Sequence, residues 1–595
     1  MEIIINHKEA VLKKSTSFEL VSENYMFTGA DSYSLSITLP IKDCQRNIEI
    51  FGHLYRKDCD ISETLFDCEI HAGNVHKYGV VSIVELDEVE VKVQFLEGRS
   101  KLNFHSTFDD IYINEIEMPS IQITPGSLTP MDLMHSYNDQ KDGTYYGYVV
   151  LPWVNNTSGN IQNRMKYTES GPIALEWEDE NPTVVGFPFL LEIMKRVFNG
   201  IGYDFDFSAI ENSQWKDCII CNALPEPWDM PLMNYALPHW TVTEFIENLE
   251  KLLDGYMHVD DVAKQVSFRF NKDILDGQQT VVLEDVTNAL AVEVSEEEDK
   301  ENSYIETRGL AYQDGGHQMM KFYSCQWAVE QIGVITWNYY TQMYNAVSPY
   351  FVHQHTNKNK YSHEYYRKIH YCKDIDTYFV LKFVRIDGRV EQGVVVYYDV
   401  LKLIVVNEFS PYQPEGVDDD NVDTIGIVPV CIDDTDDDHG EMVFLECGEF
   451  GSADDVDGND ETNIVNKIIA GEKNKSVEYF NMMYAAFWDG VYTRFMGNMP
   501  RPIINEAEYG SGGPNITGYT MRLRRNEQSI RENVRNKIDQ SRKYTFKFLA
   551  DSIPEVTSKF MIHGKAYLAE KITATFSAET GMSKLMKMEA YRIED

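Results

Sequence analysis

Strict alternation of apolar and polar side chains through the first hundred residues constrains this chain more than any other feature. Ser32-Tyr-Ser-Leu-Ser-Ile-Thr-Leu39 repeats with a period of two, and 65–70, 80–86 and 89–96 follow as further short strand-like segments. A helix needs its apolar positions three and four apart, so these segments are expected to be half-buried strands with one face on a core. Gly73-Asn74 and Gly79 are placed in the turns between them. Gly98 ends the last strand, and Phe51-Gly-His-Leu54 reads as a turn at a strand end. Successive short strands joined by turn residues predict an antiparallel barrel or sandwich.

The period then changes. Residues 106–185 carry Pro, Asn and aromatic clusters without a helical repeat, and read as a loop-rich insertion with a few strands. From 189 to 199 the residues Leu190, Ile193, Met194, Val197 and Phe198 share one helical face, with Gly200 and Gly202 as the stop. Thr241-Val-Thr-Glu244 is a capping-box pattern. It opens a helix with Phe245, Leu249, Leu252 and Leu253 on its apolar face and Gly255 at its end. Tyr256-Met-His-Val259 and Val266-Ser-Phe-Arg-Phe270 follow as two strands. Strands rich in Tyr and Val return over 300–410, and again over 544–591 with Gly564 and Gly581 in turns.

At roughly 100–200 residues per domain, 595 residues hold about three to five domains. The expected division is a first β-barrel (1–105), the loop-rich insertion (106–185), a small α/β domain (186–290), a second barrel region (291–402), an acidic β-rich insertion with exposed Asp loops (403–466), and a C-terminal region that returns to the barrels (467–595). The fold class is mainly β with α+β portions: two tube-like antiparallel β-barrels, a small α/β domain and β-rich insertions.

Charge narrows the function. Lys and Arg number 53 and Asp and Glu 95, a net charge of −42. Phosphate binding needs cationic surface, so specific nucleic-acid binding is not expected. Residues 403–466 contain no Lys or Arg and 19 acids. From 522 to 547 nine bases face three acids, a balance of +6 that begins at Arg522-Leu-Arg-Arg525. Such a basic run is expected to meet an acidic protein surface, either this chain's own loops or a neighbouring subunit's. No apolar run approaches 18 residues, so stable membrane insertion is not expected. The opening residues lack the basic-then-apolar order of a signal peptide, and the chain is expected to stay in the compartment where it is made.

Chemical motifs are sparse. No GxSxG, P-loop, HExxH or GxGxxG occurs. Cys218-Ile-Ile-Cys221 lacks a second ligand pair at zinc spacing and reads as a buried strand, against metal or redox use. Nine scattered cysteines read as reduced thiols. His353-Gln-His355, with His363 and His370 behind it, is a weak metal pattern, and surface or interface histidines are the commoner alternative. Asp454-Asp-Val-Asp-Gly-Asn-Asp460 fails as an EF-hand. Aligning Gly458 with the loop glycine puts Ala453 and Ile464 at the first and last ligand positions. A looser calcium site or a solvated acidic loop remains open there. No catalytic, metal or cofactor-binding residue is assigned, no cofactor is expected, and no enzymatic activity is expected.

One resemblance emerges from the order of these parts. The strand Val89-Glu-Val-Lys-Val-Gln-Phe-Leu-Glu-Gly98 is followed by a helix ending in Phe198-Asn-Gly-Ile-Gly-Tyr203 and by the helix–strand–turn–strand unit over 241–270. This order resembles phage tail hub proteins (baseplate hub or tail-associated proteins). Ile4-Ile-Asn-His-Lys-Glu-Ala, Phe51-Gly-His-Leu54, the stretch 66–100 and Tyr567-Leu-Ala-Glu-Lys-Ile572 look similar to tail proteins of Bacteroidetes prophages and phages. The likeness covers 1–105 and 185–285 best, and the acidic stretch 403–466 departs from it.

The resemblance implies a structural virion protein, made in the host bacterial cytoplasm and placed at the phage tail tip. It implies a homotrimer whose paired barrels adapt a sixfold tail tube or distal tail ring protein to a threefold tip, spike or fibre protein. It also implies a tape-measure protein as partner and a share in the DNA-ejection channel. Competing readings are another tail-tip or receptor-binding baseplate component, or a bacterial surface carbohydrate-binding protein or enzyme. In the last case Trp153, Trp177, Trp215, Trp327 and Trp337 would stack on sugars.

Overall fold

Alternating burial lays out the first strands. The computed structural model describes residues 1–97 and 108–294 apart from several internal stretches (57–64, 140–144, 168–174 and 223–231 among them), then 309–313, 422–429, 482–490 and 538–593. Between these blocks it describes residues 519 and 521 and further strand segments by their backbone pairing. The N-terminal strands are β1 (Glu2–Ile5), β2 (Lys8–Glu9), β3 (Ser17–Glu23), β4 (Ser32–Ser34), β5 (Ile37–Pro40), β6 (Leu65–Ala72), β7 (Val75–Leu86) and β8 (Glu90–Leu96). In β6 the residues Phe66, Cys68, Ile70 and Ala72 are buried, and those between them face outward. A short helix α1 (Gln45–Phe51) lays Ile50 and Phe51 on the same core.

Two details of the sequence reading change here. Gly79 lies inside β7 rather than in a turn, where a Cβ would strike the carbonyl oxygen of Leu96. Phe51-Gly-His-Leu54 closes helix α1, not a strand, with Gly52 at φ 64°.

A second module occupies the middle of the chain. Helix α2 (Pro130–Asn138) starts on a capping box of Thr129 and Asp132, in a stretch the sequence marks only as loop. Then come β9 (Tyr148–Pro152), β10 (Val184–Pro188), α3 (Leu190–Gly200), β11 (Asp204–Asp206), β12 (Cys218–Ile220), α4 (Val242–Leu253), β13 (Gly255–Asp260) and β14 (Gln265–Phe270). The apolar face of α3 is buried as its spacing predicts. Thr241 accepts the amide of Glu244, and Glu244 Oε2 accepts the amide of Thr241, so both orphan donors are satisfied. The stop of α4 is Asp254 in the left-handed region, one residue before Gly255. Gly255 instead lets the ring of Phe268 lie close against the backbone.

Past β15 (Thr280–Val282) and β16 (Ala291–Val294), distant segments return to these modules. Strands β17 (Gly309–Tyr312), β18 (Val422–Ile425), β19 (Ile427–Pro429) and β20 (Met483–Phe487) bring Tyr312, Ile425, Val428, Tyr484 and Phe487 into the core of the second module. Between them a five-stranded sheet over 334–406 is led by the antiparallel pair Thr377–Glu391 and Val394–Val406. The last strands are β21 (Ile538–Leu549), β22 (Lys559–Ile562), β23 (Lys565–Ser577) and β24 (Gly581–Ile593).

These last strands do not form a separate unit. The main sheet has 14 strands, with the path β2-β1-β6-β7-β8-β4-β3-β23-β24-β21-β16. Strand β5 pairs with β8, and β15 joins through β22, in parallel, to β23. The seam is β3 against β23, from Ser17↔Ser577 to Glu23↔Lys571. One core holds Ile5 from one end of the path and Phe548 from near the other, so the sheet curls around a single interior. No described sheet closes into a barrel. In place of closed barrels, the largest described sheets are one curled sheet that both chain ends build and a five-stranded sheet. The molecule is thus mainly β, with several sheets and an α+β module. The modules touch where Tyr25 stacks on Tyr256, ring centroids 3.4 Å apart.

Candidate assembly surface

The outer face of the main sheet follows from the period of two. With Phe546, Phe548, Met586, Met588 and Ile572 turned to the core, their neighbours 545, 547, 549, 585, 587, 589, 571 and 573 stand outside. Register sets them in rows across β21, β24 and β23: Lys587 stands between Lys547 and Thr573, Glu589 between Thr545 and Lys571, and Leu549 opposite Leu585. Leu549 and Leu585 are 51% and 43% exposed, an apolar pair in a charged face.

Glu589 organises that face. Lys587 and Lys571 donate to it at 2.7 Å and 3.0 Å, and Lys543 lies 3.7 Å away. Lys543 also pairs with Glu570 at 2.7 Å. Burial pushes the Glu589 carboxyl up, but the hydrogen bonds and charges of Lys587 and Lys571 outweigh it, and the group sits below its ordinary value. At the seam, Tyr33 donates to Glu23 at 2.8 Å, and burial together with that bond pushes the phenol up to about 12.

Charge divides along the sheet. Residues 538–593 carry nine Lys/Arg and six Asp/Glu (9 − 6 = +3), whereas 1–97 carry nine and seventeen (9 − 17 = −8). The edges are short or charged. Strand β2 is two exposed residues, Lys8 and Glu9, and Arg46 reaches Glu9 at 3.1 Å. At β15, Val282 is 64% exposed.

The residues singled out by sequence fall elsewhere. Cys218, Ile219, Ile220 and Cys221 are fully buried between β20 and the helices of the second module, and the thiol of Cys218 is pushed up by burial. Beside them Tyr519 donates to Asp217 at 2.6 Å, and burial holds the Asp217 carboxyl above its ordinary value. Cys44, Cys68 and Cys218 carry free thiols. Trp215 is buried against Phe487 and has no free face for a sugar.

His353 and His370 are described in backbone pairing alone. His355, His363, Asp454-Asp-Val-Asp-Gly-Asn-Asp460, Trp153, Trp327, Trp337 and Arg522 lie outside the described residues, as do the side chains of Trp177, Arg524 and Arg525. Most of 403–466 lies outside them too, apart from 403–406 at the end of the strand Val394–Val406, the strands at 422–429 and a backbone pair at 442–443. Of the basic run, the described Lys543 pairs within its own sheet. A histidine pair at the tip of the β6–β7 hairpin went unmarked. Its signal is the placement of His71 and His76 symmetrically about Gly73-Asn74.

No family model and no curated protein matches the chain. Among solved structures, the 43 kDa tail protein of prophage MuSo2 from Shewanella oneidensis aligns over 99% of this chain and 97% of its own. It does so at 8% identity and a TM-score of 0.31, a likeness too loose to carry an argument. Among the described residues no helix is long and apolar enough to cross a membrane.

Proposed function

We propose that the chain is a structural subunit of a phage tail, of the hub type, located in the virion at the tail tip. The observation that carries this reading is the main sheet. Both ends of the sequence build it, it curls around one core, and it stops at unpaired edges among the described residues. A subunit completed by its neighbours has this form. The division of charge along that sheet supports it, because a ring needs two different, complementary surfaces on each copy.

In this reading the curled main sheet and the five-stranded sheet of 334–406 are the two tube-like units. Three chains then offer six to a tail tube or distal ring, and the opposite end receives a tip, spike or fibre protein and meets the tape-measure protein. A net charge of −42 suits a channel that lets DNA pass without holding it. The reading includes no catalytic role.

Native mass spectrometry in physiological salt, together with copy number in intact particles, tests it. Three copies per tail are expected. A monomeric or dimeric copy number in the particle would end the hub assignment. Hydrolysis of peptidoglycan or polysaccharide by the purified chain, abolished by one carboxylate substitution, would put an enzyme in its place.

A further inference from the structure

The tip of the β6–β7 hairpin places two imidazoles side by side. Ala72 pairs with Val75 across Gly73-Asn74, and Gly73 has φ 64° in the first turn position, as a type II′ turn requires. That turn makes His71 and His76 direct cross-strand partners. Ile70, Ala72 and Val75 are buried, so both histidines stand on the outer face. Their Nδ1 atoms are 3.3 Å apart, and the rings meet edge to face at 90°.

The remaining nitrogen of His71 settles its tautomer. His71 Nε2 lies 3.0 Å from Glu69 Oε2, a carboxylate that can only accept, so in the neutral ring the Nε2 proton points at Glu69 and Nδ1 carries a bare lone pair. That lone pair faces His76 Nδ1. A histidine whose far nitrogen is anchored on a carboxylate is the usual arrangement of a metal ligand.

We infer that His71 and His76 form a binding site for a divalent transition metal of the zinc class, with Glu69 as the positioning residue. Two ligands of a tetrahedral zinc, each about 2.0–2.1 Å from the metal, stand about 3.3–3.4 Å apart. The observed 3.3 Å is that span, so the nitrogens need not separate to admit the ion. Binding requires the proton that His76 Nδ1 shares with His71 to move to His76 Nε2, and both rings to turn about their side-chain bonds so that the two Nδ1 lone pairs, which face each other, converge on the ion. No group is oxidised or reduced.

Among the described residues no three His, Cys, Asp or Glu side chains converge on one point, so water completes the shell. The bound ion pins β6 to β7 beside the exposed β2 edge. The inference stands independently of the tail assignment.

Zinc chloride titrated into the full chain by calorimetry tests it, with hydrogen exchange read over 69–78. The unsubstituted chain should bind one equivalent more than His71→Ala and more than His76→Ala, and zinc should slow exchange at the hairpin only when both histidines are present. Both positions lie on the outer face of a hairpin, and circular dichroism verifies that the variants fold. Glu69→Gln should keep the equivalent but weaken it by about 10–100-fold. Equal stoichiometry and affinity in the chain and in the His71→Ala/His76→Ala double variant would show a plain N–H···N contact and overturn the site. Unchanged affinity in Glu69→Gln would remove the role given to Glu69.

Discussion

Replacing the stacked pair Phe18 and Phe576 by leucine tests whether the two ends of the chain share one sheet. The residues are direct partners across β3 and β23, with ring centroids 5.3 Å apart and planes 7° from parallel. Phe18 is 4% exposed and Phe576 fully buried. Phe→Leu keeps most of the buried apolar volume, so each single change should cost up to about 1.5 kcal/mol plus the shared stacking, about 0.5–1.5 kcal/mol. The stacking can be lost once only, so the double variant should fall short of the sum by that same amount.

The chain has more than one core, and a single global melting curve would blur the effect. Hydrogen exchange of the amides in β3 and β23 measures opening of this sheet directly. Phe576→Leu should lower protection in β3, more than 540 residues away in sequence, and Phe18→Leu should lower it in β23. Additivity within about 0.3 kcal/mol, or no change in β3 when Phe576 is replaced, would refute the shared sheet.

Glu589→Gln should destabilise this sheet by about 1–3 kcal/mol at pH 7, because three lysines lose a largely buried charged acceptor. The folded Glu589 sits below its ordinary 4.5. Its contribution is therefore present above that value and lost as pH falls through the folded value. The gap between variant and parent should close in acid-unfolding curves as pH falls through the folded value, and a constant gap would contradict the assignment. Asp217 has the opposite sign. Its raised value favours the protonated form in the folded state, so its charge costs stability at neutral pH, and the cost fades as pH falls through the folded value. Asp217→Asn, whose amide oxygen still accepts from Tyr519, should raise the melting temperature at pH 7 and lose that advantage as pH falls through the folded value, read by scanning calorimetry. Thr241→Ala should cost about 1 kcal/mol by removing the cap of α4, and Thr241→Ser should restore it in the same denaturation assay.

Local structure was legible wherever a single periodicity ruled. The strands near 65–70 and 89–96, the helix with Ile193 and Val197 inward, and the Thr241 cap all stand where spacing puts them. Gly79 misled, because a glycine serves a close backbone approach as readily as a turn, and only the nearness of Leu96 tells which. Helix α2 was missed because its signal is a cap, Thr129 with Asp132, on a body of nine residues with little amphipathic contrast. That the C-terminal region returns to the first strands was expected, but the pairing of β3 with β23 was not legible. Alternation says which face of a strand is buried but not which strand lies beside it, and that depends on contacts between residues hundreds of positions apart. The histidine pair was legible in principle, since a two-residue turn at Gly73-Asn74 dictates what faces what.

The β3–β23 seam also sets a schedule for biosynthesis. After Leu96 leaves the ribosome, only β15 and β16 of the main sheet are made early, and the strands that complete it, β21 to β24, wait for Ile538 and beyond, 538 − 96 = 442 residues later. At about 5–20 residues per second that delay lasts roughly 20–90 s. Throughout it β3 has no partner on the side that β23 will occupy, and Phe18 and Leu20 lack the strand that covers them. The nascent chain thus carries a half-built sheet past the synthesis of an entire second module. Slowing translation should lengthen this vulnerable interval, and a chaperone that holds the first hundred residues would act during it.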